Sequence, residues 1–297
     1  MRMHADQRAI EPAQVVALVS DQAPRLRGEP VVPLPGSGTV NAIFRIGRVA
    51  TARFPLRPRP ADVLRAELER EASASAEFVL ASPFAAPEPI LLGEPGHGYP
   101  LPWVLQTWLD GHPPTPTSAA DSTILAADLA RLIDRLRGWN TGGRVFDGDN
   151  RGGRLVDHDD WMAECIVRSE GLFDTNVLRR LWAGFRRLPR AEPDVMCHTD
   201  LIPGNLLVTD GRLSGVLDTG GFRAADPALD LVCAWHLFEG DARAVLRTSL
   251  GCSDLQWERG RAWAFEQAVG AYWYYLNTNP AMAAMGRTTL ERLAASA

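Results

Sequence analysis

The amino-acid sequence predicts an α+β protein in two lobes, a small antiparallel β-rich N-terminal lobe and a larger, mostly helical C-terminal lobe. Three observations carry that expectation. The chain has 297 residues, above the length at which one hydrophobic core usually stops growing. Closely spaced strand-like runs, broken by glycine and proline, fill its first third. After the proline-rich stretch GHPPTPTS (111–118) the pattern changes to long amphipathic helices. Residues 1–108 are assigned to the first lobe, 103–111 to a hinge, and 112–297 to the second lobe.

EPAQVVALVSDQAP (11–24) reads as a short amphipathic helix. The runs VVPLP, NAIFRIG and RVATARFPL follow, separated by GSG and by Gly47. Spacing this tight predicts an antiparallel meander. From Asp62 to about Leu80, Leu64, Leu68 and the alanines between them keep a helical period. APEPILLGEPGHGYPLPWVLQTWLDG (86–111) sets two apolar strands between proline and glycine breaks, completing a sheet of five strands. In the second lobe, helices are predicted at 118–137, 158–169 and 174–187, with a glycine- and aspartate-rich loop, NTGGRVFDGDNRGGRLVDHDD, at 140–160. Short strands are predicted near 194–197, 206–209 and 213–217. Helices at 227–248, 254–277 and 281–295 close the chain.

Composition narrows the function. A net charge of −5 gives no broad surface for nucleic acid, whereas a cationic small substrate is electrostatically welcome. All 31 basic residues are arginine. The absence of lysine excludes Schiff-base chemistry and the Walker phosphate loop. Cys165, Cys197, Cys233 and Cys252 lie far apart without a CxxC pair, which predicts free buried thiols rather than a disulfide or a zinc site. MRMHADQRAI lacks the apolar run of a signal peptide, and no 18-residue apolar stretch occurs. The expectation is a cytoplasmic protein, a monomer or weak homodimer, with no membrane or nucleic-acid partner.

Residues 196–231, MCHTDLIPGNLLVTDGRLSGVLDTGGFRAADPALDL, crowd five aspartates among apolar runs. Facing carboxylates repel unless a cation sits between them. In HTDLIPGN, Pro203 and Gly204 prevent a regular helix, so Asp200 and Asn205 share a loop. Asp218 ends the strand-like LSGVLD and precedes TGG. A tight TDGR turn makes the two strands a hairpin, which brings the Asn205 and Asp218 ends together. A carboxylate beside an amide oxygen is a hard-oxygen pair of the kind Mg²⁺ takes while keeping water and phosphate oxygens. Asp200, in the same loop, is placed to accept a proton from a hydroxyl nucleophile.

The order HxDxxxxN, hairpin, Asp-x-Gly resembles the catalytic and metal loops of the protein-kinase-like fold. The form HTDLIPGNLLV…GVLDTGG…DPALDL resembles the aminoglycoside phosphotransferase family of antibiotic kinases. A single HxD triplet arises by chance or as a turn cap; the ordered set is what carries the likeness. The resemblance implies that Asp200 is the catalytic base, Asn205 a metal ligand and Asp218 the principal metal ligand. It further implies that Asp230 braces the loop through backbone hydrogen bonds and that His198 packs beneath it. Thr199, where glycine is common, and Thr219, where an aromatic often follows, are departures.

The resemblance also implies ATP (or GTP) with Mg²⁺. In PLPGSGTVNAIFRIG, Gly36 and Gly38 let the backbone approach phosphates, and Ser37, Thr39 and Asn41 offer donors. Arg53 in VATARFP stands where kinases place a lysine, and arginine can bind two phosphate oxygens with its fork. Glu71 resembles the helix glutamate that orients this cation, with Glu67 and Glu69 as nearby competitors. PWVLQTWLDG reads as the hinge, offering backbone groups of Gln106, Thr107 and Trp108 to a nucleobase, with Trp103 and Trp108 read as core or interface residues.

The acceptor is not named by the resemblance. A polycation would want carboxylates, and Asp147, Asp149, Asp157, Asp159, Asp160, Glu239, Asp241 and Glu266 are available. Most of these read as surface charges or caps, Asp157 as an N-cap. Tyr272, Trp273, Tyr274 and Tyr275 sit on a late helix, where one or two can line a pocket for a bulky, partly apolar molecule. The expected function is an ATP- and Mg²⁺-dependent O-phosphotransferase acting on a small-molecule hydroxyl, an aminoglycoside or related antibiotic. A macrolide kinase, a metabolic small-molecule kinase and a nucleotide-binding pseudokinase are the alternatives.

Overall fold

The computed structural model describes residues 10–34, 41–148 and 150–295. Gly36, Ser37, Gly38, Thr39 and Asp149 lie outside the described residues. The chain divides into two compact units, Met1–Leu80 with Ala86–Asp110, and Ala81–Ala85 with Gly111–Ala297.

The first unit opens with helix α1 (Pro12–Gln22), whose start is closed by reciprocal bonds between Glu11 and Gln14. Five strands follow, β1 (Val31–Pro33), β2 (Asn41–Ile46), β3 (Ala50–Pro55), β4 (Pro89–Gly93) and β5 (Trp103–Thr107), with helix α2 (Ala61–Ala81) between β3 and β4. They form one antiparallel sheet in the order β1-β2-β3-β5-β4. The predicted meander therefore ends at β3. β5 takes the interior position because Trp103 and Leu105 are fully buried. β4 begins with Pro89, which cannot donate to a ladder, and it lies at the edge. Phe54 stacks on Trp103 at 5.0 Å and meets Tyr99 edge-on at 5.2 Å. The polar ends of these rings are satisfied: Tyr99 donates to Pro55 O (2.7 Å) and Trp103 to Glu94 O (3.1 Å).

The second unit holds α3 (Pro116–Ala119), α4 (Thr123–Arg137), α5 (Asp159–Arg168), α6 (Thr175–Phe185), α7 (Cys233–Leu237), α8 (Gly240–Leu250), α9 (Asp254–Tyr275) and α10 (Pro280–Ala294). Four short strands, β6 (Val195–Cys197), β7 (Leu206–Thr209), β8 (Arg212–Val216) and β9 (Arg223–Ala225), pair as β6-β9 and β7-β8. Ser122 and Asp174 cap α4 and α6 with their side chains. α9 is central: it is buried from Gln256 through Ala271 at nearly every position, so it has no solvent face. No helix among the described residues is long and apolar enough to cross a membrane.

The single helix expected at 227–248 is broken: a 3-10 turn at Leu229–Val232 leads into α7, and α8 starts only after Glu239 has taken an extended conformation (φ −129°, ψ 170°). The break is stable because Arg243 donates to the carbonyls of Ala234 and Phe238, which the end of α7 leaves without helical partners. β9 was not foreseen, since three residues, Arg-Ala-Ala, carry no alternation. Its pairing of Ala224 with Met196 joins the start of the acidic segment to its last third.

Asp128 of α4 fastens this unit to its hairpin. Its carboxylate accepts from Arg212 Nε (2.7 Å), Arg212 Nη2 (2.7 Å) and Leu213 N (3.2 Å). Burial alone raises its pKa, but the Arg212 bond, the Leu213 N–H and the charges of Arg212 and Arg131 outweigh it, so the carboxyl titrates below its usual range. The stability it contributes is therefore present above about pH 4 and is lost as pH falls through the lowered folded value. Asp128→Asn is expected to cost about 2 kcal/mol at pH 7. Urea titrations at pH 7 and pH 3 check this, and an equal loss at both pH values contradicts it.

Candidate active site

β6 delivers the chain into a loop whose backbone is held by one buried carboxylate. Asp230 accepts from His198 N through Oδ2 and from Thr199 N through Oδ1, both at 2.8 Å. Burial pushes its pKa up, against the pull of His198, those two N–H groups and Arg137. Thr199 has φ +76°, in the left-handed region that disfavours a β-branched side chain. That is the conformation glycine adopts without cost, and here the Asp230 bonds and a Thr199 hydroxyl donation to Gly221 O (3.3 Å) hold it. His198 is fully buried. Its Nδ1 faces the N–H of Asp200 (3.2 Å) and its Nε2 faces the carbonyl of Leu217 (2.8 Å). Nδ1 must accept, so the ring proton sits on Nε2, and the imidazole stitches the Asp200 loop to the residue before Asp218.

The hairpin is as the sequence pattern requires. Leu206 pairs with Val216, and Leu217 N donates to Asn205 O (2.8 Å), so Asn205 and Asp218 end adjacent strands. The turn between them uses Asp210 (φ +50°) and Gly211 (φ +75°), both in the left-handed region that a two-residue hairpin turn demands. Asp218 is itself left-handed (φ 56°, ψ 47°) and exposed. Asn205 Nδ2 donates to Asp200 O (2.9 Å) and Asp200 Oδ2 (3.0 Å). With its nitrogen committed, the Asn205 amide turns its oxygen away from Asp200. The Asn205 amide oxygen and the Asp218 carboxylate, carried on adjacent strand ends, are hard donors of the kind that suits a cation completing its shell with water and phosphate oxygens. Among the described residues no group of three or more His, Cys, Asp or Glu gathers to hold a metal unaided.

Asp200 is gripped at both oxygens. Besides Asn205 on Oδ2, Oδ1 accepts from Arg151 Nη2 (3.0 Å) and from Gln267 Nε2. Arg151 Nη1 lies 3.8 Å from Glu266 Oε2, and Glu266 Oε1 lies 3.0 Å from His158 Nδ1. Arg151 and Gln267 escaped the sequence reading. The signals were faint: an arginine inside a glycine-rich loop, and two polar residues, Glu266 and Gln267, interrupting the apolar run of α9.

In the first unit, Asn41, Arg53, Glu71 and Gln106 line one pocket together with Leu68 and Val104. β2, β3 and β5 place the first, second and fourth on one sheet face, because Arg53 pairs with Ile43 and Val104 and Asn41 with Pro55. Glu71 comes from α2. Trp108 donates to Asp110 Oδ1 (2.7 Å) and carries Arg45 over its ring at 4.4 Å.

The acidic and aromatic candidates scatter. Asp157 is inside a 3-10 turn rather than at an N-cap and forms a pair with Arg154. Asp159 binds Arg186 and Trp182, tying α5 to α6. Glu239 accepts from Arg292 (2.8 Å), Asp160 is exposed on the first turn of α5, and Tyr272 packs edge-on against Phe173 at 5.4 Å. Glu266 is only 3% exposed, so it reaches its surroundings through Arg151 and His158 rather than as a surface charge.

An aminoglycoside 3'-phosphotransferase of Streptomyces fradiae is 35% identical over 85 residues, a stretch covering 25% of this chain and 32% of that protein's length. Among solved structures, the GDP and kanamycin complex of APH(2")-IIIa aligns over 95% of this chain and 98% of its own, at 18% identity and a TM-score of 0.71. The apoenzyme of a macrolide 2'-phosphotransferase from Brachybacterium faecium aligns over 96% and 97%, at 17% identity and a TM-score of 0.61. Likenesses at such identities establish the fold. Residues 31–263 match the phosphotransferase enzyme family (APH), and with most of the chain inside that match, this protein is a member of the family.

Proposed function

We propose that the protein is an ATP- and Mg²⁺-dependent O-phosphotransferase that phosphorylates a hydroxyl of a small antibiotic. The observation that supports this best is the joining of Asp200, Asn205 and Asp218 by the hairpin and by the Asn205–Asp200 bonds. Asp200 takes the acceptor hydroxyl proton. Asn205 and Asp218 hold magnesium, which when bound neutralises charge on the phosphate oxygens. Asp230 and His198 fix the loop, and Arg53, oriented by Glu71, holds the nucleotide in the first unit with Asn41 and the 106–108 backbone. Residues 103–111 act as the hinge. Catalysis on this plan is positioning and charge neutralisation.

The family relatives include proteins named for aminoglycosides and for macrolides. Both kinds of acceptor are therefore carried into the test. Several acids that a polycation would need are already paired with arginines. The test is incubation with Mg·ATP and kanamycin, gentamicin, streptomycin or erythromycin, read as a phosphate mass gain on the acceptor. Phosphorylation of at least one acceptor is expected. A thermal shift with ATP but no gain on any acceptor points to a nucleotide-binding pseudokinase, and the absence of both overturns the proposal.

A further inference from the structure

We propose that Gln267 is a positioning residue for Asp200, set in its working orientation by a buried chain through His236 and Thr289; the inference rests on the catalytic role proposed for Asp200. Three helices contribute. Thr289 of α10 meets His236 Nδ1 of α7 at 2.9 Å, His236 Nε2 meets Gln267 Oε1 of α9 at 2.9 Å, and Gln267 Nε2 donates to Asp200 Oδ1. His236 and Thr289 are wholly buried and Gln267 is 9% exposed.

The direction of this chain is forced. A glutamine amide has one accepting and one donating end. Reversed, Gln267 would set its oxygen against the Asp200 carboxylate, two acceptors facing one another. Its donor must therefore face Asp200 and its oxygen must face His236, which requires the ring proton on Nε2. His236 Nδ1 then accepts from the Thr289 hydroxyl. Burial lowers the His236 pKa to about 4, against the Gln267 bond and with help from the charges of Arg151 and Arg292. At neutral pH the ring carries one proton and the order Thr289 to His236 to Gln267 to Asp200 has a single solution.

The end point gives the chain its use. An aspartate turns easily about its last torsion. Here Gln267 and Arg151 take Oδ1 and Asn205 takes Oδ2, so the carboxylate plane is pinned, with Oδ1 doubly engaged and Oδ2 singly engaged. Oδ2 keeps the capacity to accept the acceptor hydroxyl. Three buried polar groups in a core otherwise built from residues such as Phe265, Ala268 and Val269 are a costly way to fill space. Setting one carboxylate is what they accomplish.

The test combines kinetics with a spectroscopic readout that needs no turnover. With whichever of kanamycin, gentamicin, streptomycin or erythromycin the wild type phosphorylates, Gln267→Leu is expected to lower kcat about 10- to 100-fold with both KM values held within about threefold. His236→Phe should reproduce most of that loss, His236→Gln, which keeps a donor toward Gln267, should recover most of it, and the Gln267→Leu/His236→Phe double variant should be no slower than Gln267→Leu. Independent, additive losses, or an unchanged kcat, overturn the relay. In ¹⁵N-labelled protein, the Gln267 side-chain amide pair, assigned by its loss in Gln267→Leu, should move in Asp200→Asn and in His236→Phe. If the wild type phosphorylates none of kanamycin, gentamicin, streptomycin and erythromycin, the phosphotransferase reading falls, and the amide pair alone decides this one: an unmoved pair overturns it.

Discussion

Asp200→Asn is expected to lower kcat about a thousandfold, equivalent to roughly 4 kcal/mol of transition-state stabilisation, while Mg·ATP binds within about threefold of the wild-type affinity. The separation follows from how the loop is held. Its backbone is fixed by Asp230, through the N–H groups of His198 and Thr199, and by the His198 bond to the Asp200 N–H, none of which uses the Asp200 side chain. The variant loses the proton acceptor and keeps the frame. It also creates a local conflict: the remaining oxygen can face Arg151 and Gln267 or face Asn205, but not both. That conflict should cost no more than about 2 kcal/mol of folding stability, since Asp200 is partly exposed. Asp218→Asn is the contrasting variant. It should weaken nucleotide binding in proportion to the magnesium supplied, because Asp218 is the carboxylate proposed to hold that ion. Single-turnover kinetics and calorimetric nucleotide titrations separate the two, and undiminished turnover in Asp200→Asn would remove that residue from its role.

The sequence reached far into the second unit because its signals there are local. A proline and glycine that forbid helix, a TDGR turn, and an asparagine and an aspartate at the two ends of a hairpin are short-range facts, and the structure brings the Asn205 and Asp218 ends together and bonds Asn205 to Asp200. The strands of the first unit were legible for the same reason, through glycine punctuation and alternation. Their order was not, since exchanging β4 and β5 depends on Trp103 and Leu105 competing for the interior, a comparison between distant segments. The helix predicted over 227–248 failed on a tertiary demand: Asp230 has to face two backbone N–H groups thirty-odd residues upstream, and a tight turn serves that better than a continuous helix. Arg151, Gln267, His236 and Thr289 were invisible for a related reason. Each is an ordinary polar residue in its own window, and only packing α7, α9 and α10 around Asp200 gives it a partner.

The largest stability effect belongs to another distant partnership. Arg259 and Asp226 form an ion pair in which both side chains are 3% exposed. Arg259 donates to Asp226 through Nε (2.9 Å) and Nη2, to Leu188 O (2.9 Å) and to Gly153 O (3.0 Å). Asp226 also accepts from Trp263 Nε1 (3.0 Å) and Ala228 N (3.0 Å), and its own N–H reaches Gly152 O (3.0 Å). Four segments meet there: the glycine-rich loop that carries Arg151, the end of α6, the turn leading to Asp230, and α9. Both charges are out of water, so the pair's net worth against an apolar replacement is small, while removing one member strands the other. Arg259→Met leaves a buried carboxylate without its cation and two carbonyls without donors, and is expected to cost about 3–5 kcal/mol. Set against a total stability of about 5–15 kcal/mol for an ordinary protein, that is a large share of the margin that keeps the chain folded. Asp226→Asn combined with Arg259→Met should recover part of the loss, because the stranded charge is gone, and the coupling between the two is the quantity to measure. Urea unfolding followed by tryptophan fluorescence gives it directly. A loss below about 1 kcal/mol for Arg259→Met, or strict additivity in the double variant, would mean that water reaches Asp226 and that the junction is not sealed.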